Sequence, residues 1–195
     1  KHSNPCGFGI AETPFTAYRR AVETDPLSCF GGIVSFNREI NEQLAEELIK
    51  TFLECIIAPS ITKEALNIFQ KKKNLRIIKC IKVENQRSFS LKSVAKGYLY
   101  QEKDSQQNEL NRLKIVTKKQ PNNHITEAFT LGWKLVRHVK SNAVVFANPE
   151  QLLGVGAGPT ADLSENGYVY KIFPNAISQL SSTTAISSSV VDHDF

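Results

Sequence analysis

No methionine occurs among the 195 residues and tryptophan occurs once. No apolar run approaches the ~20 residues that a membrane-spanning helix needs, which leaves a chain expected to be soluble. The four cysteines, Cys6, Cys29, Cys55 and Cys80, stand far apart with no C-x-x-C pair. That spacing argues against a tetrahedral zinc cage and against a disulfide framework. Each cysteine has apolar neighbours, so buried, reduced thiols in a cytoplasmic protein are expected. Pro5-Cys6 hints at a zinc nucleoside deaminase, but neither H-x-E nor P-C-x-x-C is present, and no metal is expected. Acidic residues are outnumbered by basic ones, 19 to 24, for a net charge of +5. Apart from Lys71–Lys73 and Lys118–Lys119 the lysines are scattered, with no interleaved aromatic platform, so a nucleic-acid partner is not expected. The excess suits an anionic small molecule as well as nucleic acid, but a solvated surface is the better reading of any single run. The missing methionine, with an opening on Lys1-His2, suggests an excerpt of a longer chain or an unusual copy.

What is present describes a globular α/β chain, with 41% hydrophobic and 22% charged residues. Thr13-Pro14 opens a helix carrying Phe15, Tyr18, Ala21 and Val22, and Asp25-Pro26 ends it. "GGIV" reads as a buried strand. Asn41 caps a second helix with Leu44, Leu48, Ile49 and Phe52 on one face, and "CIIAP" is the next strand. Thr62 starts a third helix through Ala65, Leu66 and Phe69, followed by a strand in "LRIIKCI". This alternation predicts βαβ units and a mostly parallel sheet. The pattern loosens over 82–112, where "YLYQ" reads as a strand and "EKDSQQNELN" as an exposed loop. "LKIVTKKQP" reads as a strand, and 124–139 as a helix with Ala128, Leu131, Leu135 and Val136 inward and Trp133 at its flank. "NAVVFAN" and "LLGVGAG" are strands joined by a turn, whereas the serine- and threonine-rich stretch near the end has too few large apolar residues for a firm core element.

Four places hold residues suited to chemistry. At Lys1-His2 a histidine titrating near neutrality can take a proton while the adjacent lysine steadies an oxyanion. Pro5 and Gly7 would end a strand there, at the mouth of a sheet where open α/β folds bind ligands. Gly31-Gly32 precedes a strand where backbone N–H groups can approach a substrate, Glu54 heads an apolar strand, and Asn142 starts another. Taken one at a time, a surface dipeptide, a turn glycine or a strand-cap polar residue is the better explanation of each.

In order, "KHSNPCG", "DPLSCFGGIVSFN", "IIAPS", "KEAL", "IVTKKQP", "VKSNAVVFA" and "GVGAG" resemble the formyltransferase part of the bifunctional purine-synthesis family. That family is 5-aminoimidazole-4-carboxamide ribonucleotide (AICAR) transformylase, usually fused to IMP cyclohydrolase. The resemblance covers residues 1–158, taken as one domain, and leaves 159–195 as a divergent segment. It implies a three-layer α/β/α fold similar to cytidine deaminase, a cytoplasmic homodimer, and formyl transfer from 10-formyltetrahydrofolate to AICAR without a metal. It also implies that His2 is the base, that Lys1 and Asn142 stand beside the reacting centre, and that Asn4, Phe30, Gly31, Gly32 and Glu54 contact the nucleotide. After "GAG" the family continues with a glutamine and an arginine, where this chain has Pro159 and Asp162. That departure leaves a second reading, a truncated or decayed copy serving as a non-catalytic, dimerising module.

Overall fold

The computed structural model describes residues 4–80, 89–102, 114–116, 118–140 and 142–157, together with the backbone of 184–187. The chain divides into two compact units, one of residues 1–80 and 121–195, the other of residues 81–120.

The first unit opens with α1 (Pro14–Thr24), whose cap Thr13 accepts a hydrogen bond from the Thr16 amide at 3.2 Å. The strand β1 (Gly32–Ser35), helix α2 (Glu42–Leu48), strand β2 (Leu53–Ala58), helix α3 (Lys63–Phe69) and strand β3 (Arg76–Lys79) follow. Asn41 and Thr62 cap α2 and α3 through their side-chain oxygens, so three helix starts rest on the same local chemistry. The three strands form a parallel sheet in the order β1-β2-β3, in which Ile56 lies opposite Val34 on one side and Ile77 on the other. Ile40, Leu44, Leu48 and Ile56 are fully buried and centre a core that also takes in Tyr18, Ala65 and Phe69.

Helix α4 (Asn123–Val136) leads into β6 (Ala143–Ala147) and β7 (Leu152–Ala157), an antiparallel hairpin. The Asn148 side chain accepts from the amides of Glu150 and Gln151, both at 2.8 Å, and so builds the turn itself. Leu131, Leu135 and Val136 of α4 pack with Val139, Val145 and Leu152 in a second core. Strand β8 (Thr184–Ser187) pairs antiparallel with β6, within the stretch expected to supply no firm element. Thr24 at the end of α1 donates to the Leu152 carbonyl at 2.5 Å and ties the helix to β7.

The second unit is a hairpin of β4 (Phe89–Val94) and β5 (Gly97–Glu102), in which Phe89 and Tyr100 stack at 4.6 Å.

Several expectations are corrected. The parallel sheet is confined to β1-β2-β3, and β4–β5, β6–β7 and β6–β8 are antiparallel. A turn as tight as that at Asn148 permits only antiparallel neighbours, because a parallel crossover takes a dozen residues or more. Residues 114–116 are not in a strand. Phe52 lies beyond the end of α2 and is 46% exposed, and Leu66 faces outward while Ile68 takes the core position on α3. Of the four free cysteines only Cys55 is buried, and Cys80 is exposed. The loop expected at "EKDSQQNELN" falls, from Lys103 onward, outside the described residues.

Candidate functional site

The opening motif is held in place by contacts far along the chain. Asn4 accepts, through Oδ1, a hydrogen bond from the Lys140 amide at 2.8 Å. Lys140 lies two residues before Asn142, which is exposed and immediately precedes β6. The segment beyond Asn4 then runs beside β7: the Leu152 amide donates to the Phe8 carbonyl at 3.0 Å, the Ile10 amide to the Glu150 carbonyl at 2.6 Å, and Gly9 bridges Gln151. Arg20 of α1 fastens the same corner, pairing with Glu150 at 2.8 Å and donating to the Ile10 carbonyl. Glycines are required here by space. A Cβ on Gly7 would stand 2.8 Å from the Ala21 carbonyl carbon and closer still to its oxygen, and one on Gly9 would stand 2.9 Å from Arg20 Cβ.

The segment from Pro5 to Glu12 forms one wall of a groove of about 640 Å³, within the range of small-molecule sites. The other walls are α1, with Ala17 and Tyr18, and the loop and strand from Cys29 to Phe36. The Tyr18 hydroxyl is buried without a hydrogen-bond partner among the described residues. Burial pushes its pKa up, against a smaller opposing effect of the Thr51 side chain.

Phe30, Gly31, Gly32 and Glu54 gather at the amino ends of β1 and β2, opposite the carboxyl ends at which open parallel sheets usually bind ligands. Gly31 has φ +69°, the left-handed region that glycine enters without cost, and its amide donates to the Phe52 carbonyl at 2.8 Å. The Gly32 amide donates to the Cys29 carbonyl at 3.0 Å. Both N–H groups therefore have protein partners, and the direct approach to a substrate expected of them is closed in this conformation. Phe30 is 62% exposed with its ring 5.2 Å from that of Phe52. The Glu54 carboxylate is paired with Arg76 at 2.7 Å. Lys1 and His2 lie outside the described residues.

The sequence profile of the AICARFT/IMPCHase bienzyme matches residues 1–163. The chain belongs to the AICARFT/IMPCHase bienzyme family. The bifunctional purine biosynthesis protein PurH of Thermoanaerobacter sp. (strain X514) is 49% identical over 158 residues, covering 81% of this chain and 31% of that protein. The proteins of the same name from Bacillus cereus (strain AH187) and Bacillus thuringiensis (strain Al Hakam) are each 48% identical over 160 residues, with the same coverage. The chain thus spans about a third of the length of these relatives of the AICARFT/IMPCHase family.

Three features of this AICARFT/IMPCHase chain were not read from sequence. Arg76 reaches Glu54 from β3 to β2, and Phe52 meets Phe30 just before β2 and β1 begin, so only the pairing of the strands discloses them. The bond from Lys140 to Asn4 spans 136 residues, and no local pattern signals it. Among the described residues, no group of three or more His, Cys, Asp or Glu is placed to hold a metal, and no helix is long and apolar enough to cross a membrane.

Proposed function

We propose that this chain carries part of an AICAR transformylase, which moves a formyl group from 10-formyltetrahydrofolate to the exocyclic amine of AICAR in purine biosynthesis. The observation that supports this reading best is the 2.8 Å bond between Asn4 and the Lys140 amide. It joins Asn4, of the "KHSNPCG" motif, to Lys140, two residues before Asn142, and the ligand-sized groove is lined from Pro5 onward. The family and its purine-synthesis relatives support the same reading.

In this proposal His2 takes a proton from the amine as its nitrogen attacks the formyl carbon, since the amine is conjugated and weakly nucleophilic. Lys1 stabilises the oxyanion that forms, and Asn142 holds the reacting groups in line. The carbon–N10 bond of the folate then breaks, and N10 receives the proton from His2, so charge and atoms balance. Asn4, Phe30, Gly31, Gly32 and Glu54 serve nucleotide binding, with Arg76 fixing the Glu54 carboxylate. The proposal extends to a domain over 1–158 with a divergent 159–195, a cytidine deaminase-like three-layer arrangement, a cytoplasmic location and a homodimer. A second reading, a non-catalytic dimerising copy, draws on the profile match ending at residue 163, just past the departure from the family pattern at Pro159.

The test is formyl transfer from 10-formyltetrahydrofolate to AICAR, followed by product absorbance. Measurable turnover that falls at least 100-fold in His2→Ala and at least tenfold in Asn142→Ala supports the reading, general acid–base catalysis being worth about 10²–10⁴-fold. Turnover unchanged in both variants removes these residues from the site. A folded wild-type chain that binds neither reactant gives the lead to the non-catalytic reading.

A further inference from the structure

Beyond the end of α3, Lys71, Lys72 and Lys73 occupy a fixed turn rather than a loose tail. The Lys71 amide donates to the Ile68 carbonyl at 3.2 Å, that of Lys72 to Phe69 at 2.9 Å, and that of Leu75 to Lys72 at 3.1 Å. Between this turn and the end of α2 lies a cavity of about 220 Å³. Leu48, Ile49 and Phe52 line it together with the three lysines. No ion pair among the described residues involves these lysines, and two acids of adjoining elements, Glu47 and Glu54, are held by Lys50 and Arg76.

Lysines on a solvated face have no need of a cavity. Here three lysines line one hollow together with the apolar Leu48, Ile49 and Phe52 and the polar Thr51 and Asn74, and the exposed Phe52 ring meets the more exposed Phe30. A volume of 220 Å³ falls below the 300–1,000 Å³ of a site enclosing a whole small molecule, so the hollow suits a charged end group whose ring lies outside on the two phenylalanines. We infer that the Lys71–Lys73 cavity binds the phosphate or carboxylate end of an aromatic organic anion. The place of the ring beside Phe30 rests on the nucleotide-binding role proposed for that residue, whereas inorganic pyrophosphate, which has no ring, reads the lysines alone.

Isothermal titration of the full chain at low salt with three probes tests it: inorganic pyrophosphate, AICAR, and folate extended by several glutamates. At least one probe binds, and its Kd rises at least tenfold in K71E/K72E/K73E and no more than twofold in K92E/K96E/K134E, which makes the same charge change elsewhere. Loss of pyrophosphate and AICAR binding marks a phosphate site, and loss of the glutamylated folate alone marks a carboxylate site. Circular dichroism checks the fold, and if the triple variant unfolds, K71Q/K72Q/K73Q takes its place with the same expectation. The inference is overturned if wild type binds none of the probes, if the variant binds them as wild type does, or if both charge-change variants weaken equally.

Discussion

Gly7→Ala is the substitution for which the structure fixes a direction most directly. The new Cβ would lie 2.8 Å from the Ala21 carbonyl carbon, against α1 backbone that is hydrogen-bonded within a helix and cannot turn aside as a side chain would. Either the helix and segment move apart, with an overpacking cost of about 1–3 kcal/mol, or the segment detaches. Detachment has its own cost, because bonds to Lys140, Glu150 and Leu152, with the Arg20 contacts beside them, hold residues 4–10. At about 1 kcal/mol net for each hydrogen bond, losing them costs about 3–4 kcal/mol. Urea melts should therefore place Gly7→Ala about 1–3 kcal/mol below wild type, with Gly9→Ala alike. Gly97→Ala, whose Cβ meets nothing within 4 Å, should fall within about 0.5 kcal/mol. Hydrogen exchange adds a local readout, since faster exchange of the Leu152 amide reports release from the Phe8 carbonyl. Gly7→Ala as stable as Gly97→Ala, with Leu152 still protected, would refute the close packing of the motif on α1.

Asn4→Ala removes the bond to the Lys140 amide and should cost at least about 0.5–1.5 kcal/mol in urea melts, while lowering formyl transfer more than that loss of stability explains. Ile56→Ala empties a fully buried site between two strands and should cost about 2–5 kcal/mol by the same measurement. Tyr18→Phe should leave stability at neutral pH unchanged or slightly raised, because the hydroxyl it deletes has no hydrogen-bond partner among the described residues. Burial raises the Tyr18 pKa, so the unfolded chain gives up this proton first as pH rises above 10. The stability from the buried neutral phenol is thus complete below that pH and lost as pH climbs through the folded pKa, and Tyr18→Phe should show a shallower alkaline decline than wild type. Equal slopes would count against that burial. Gly31→Ala, at φ +69° with only the Phe52 ring near, should cost about 1–2 kcal/mol, and Gly31→Asn less.

Helix starts were legible because a cap is local chemistry: Thr13, Asn41 and Thr62 each accept from an amide three residues on. The inward face of α4 was legible for a similar reason, fourteen residues being enough for a helical period to show. Short helices gave less. In α3, seven residues long, Leu66 and Ile68 fit the pattern about equally, and packing chose Ile68. Strand β4 and strand β5 are both exposed almost throughout, and only β5 was legible, from its aromatic-rich run Tyr98-Leu99-Tyr100. At the candidate site the residue types were legible, whereas their partners were not. Glu54 with Arg76, and Asn4 with Lys140, are joined by strand register and by chain closure over long separations.

The central claim is that the opening motif and the start of β6 build one nucleotide site. Thermal melting of the chain with saturating AICAR, as wild type, His2→Ala and Asn142→Ala, tests it most directly. The account predicts a rise in melting temperature for wild type that shrinks in both variants, whereas full retention of the shift in both, or no shift in a cooperatively folded wild-type chain, would contradict it.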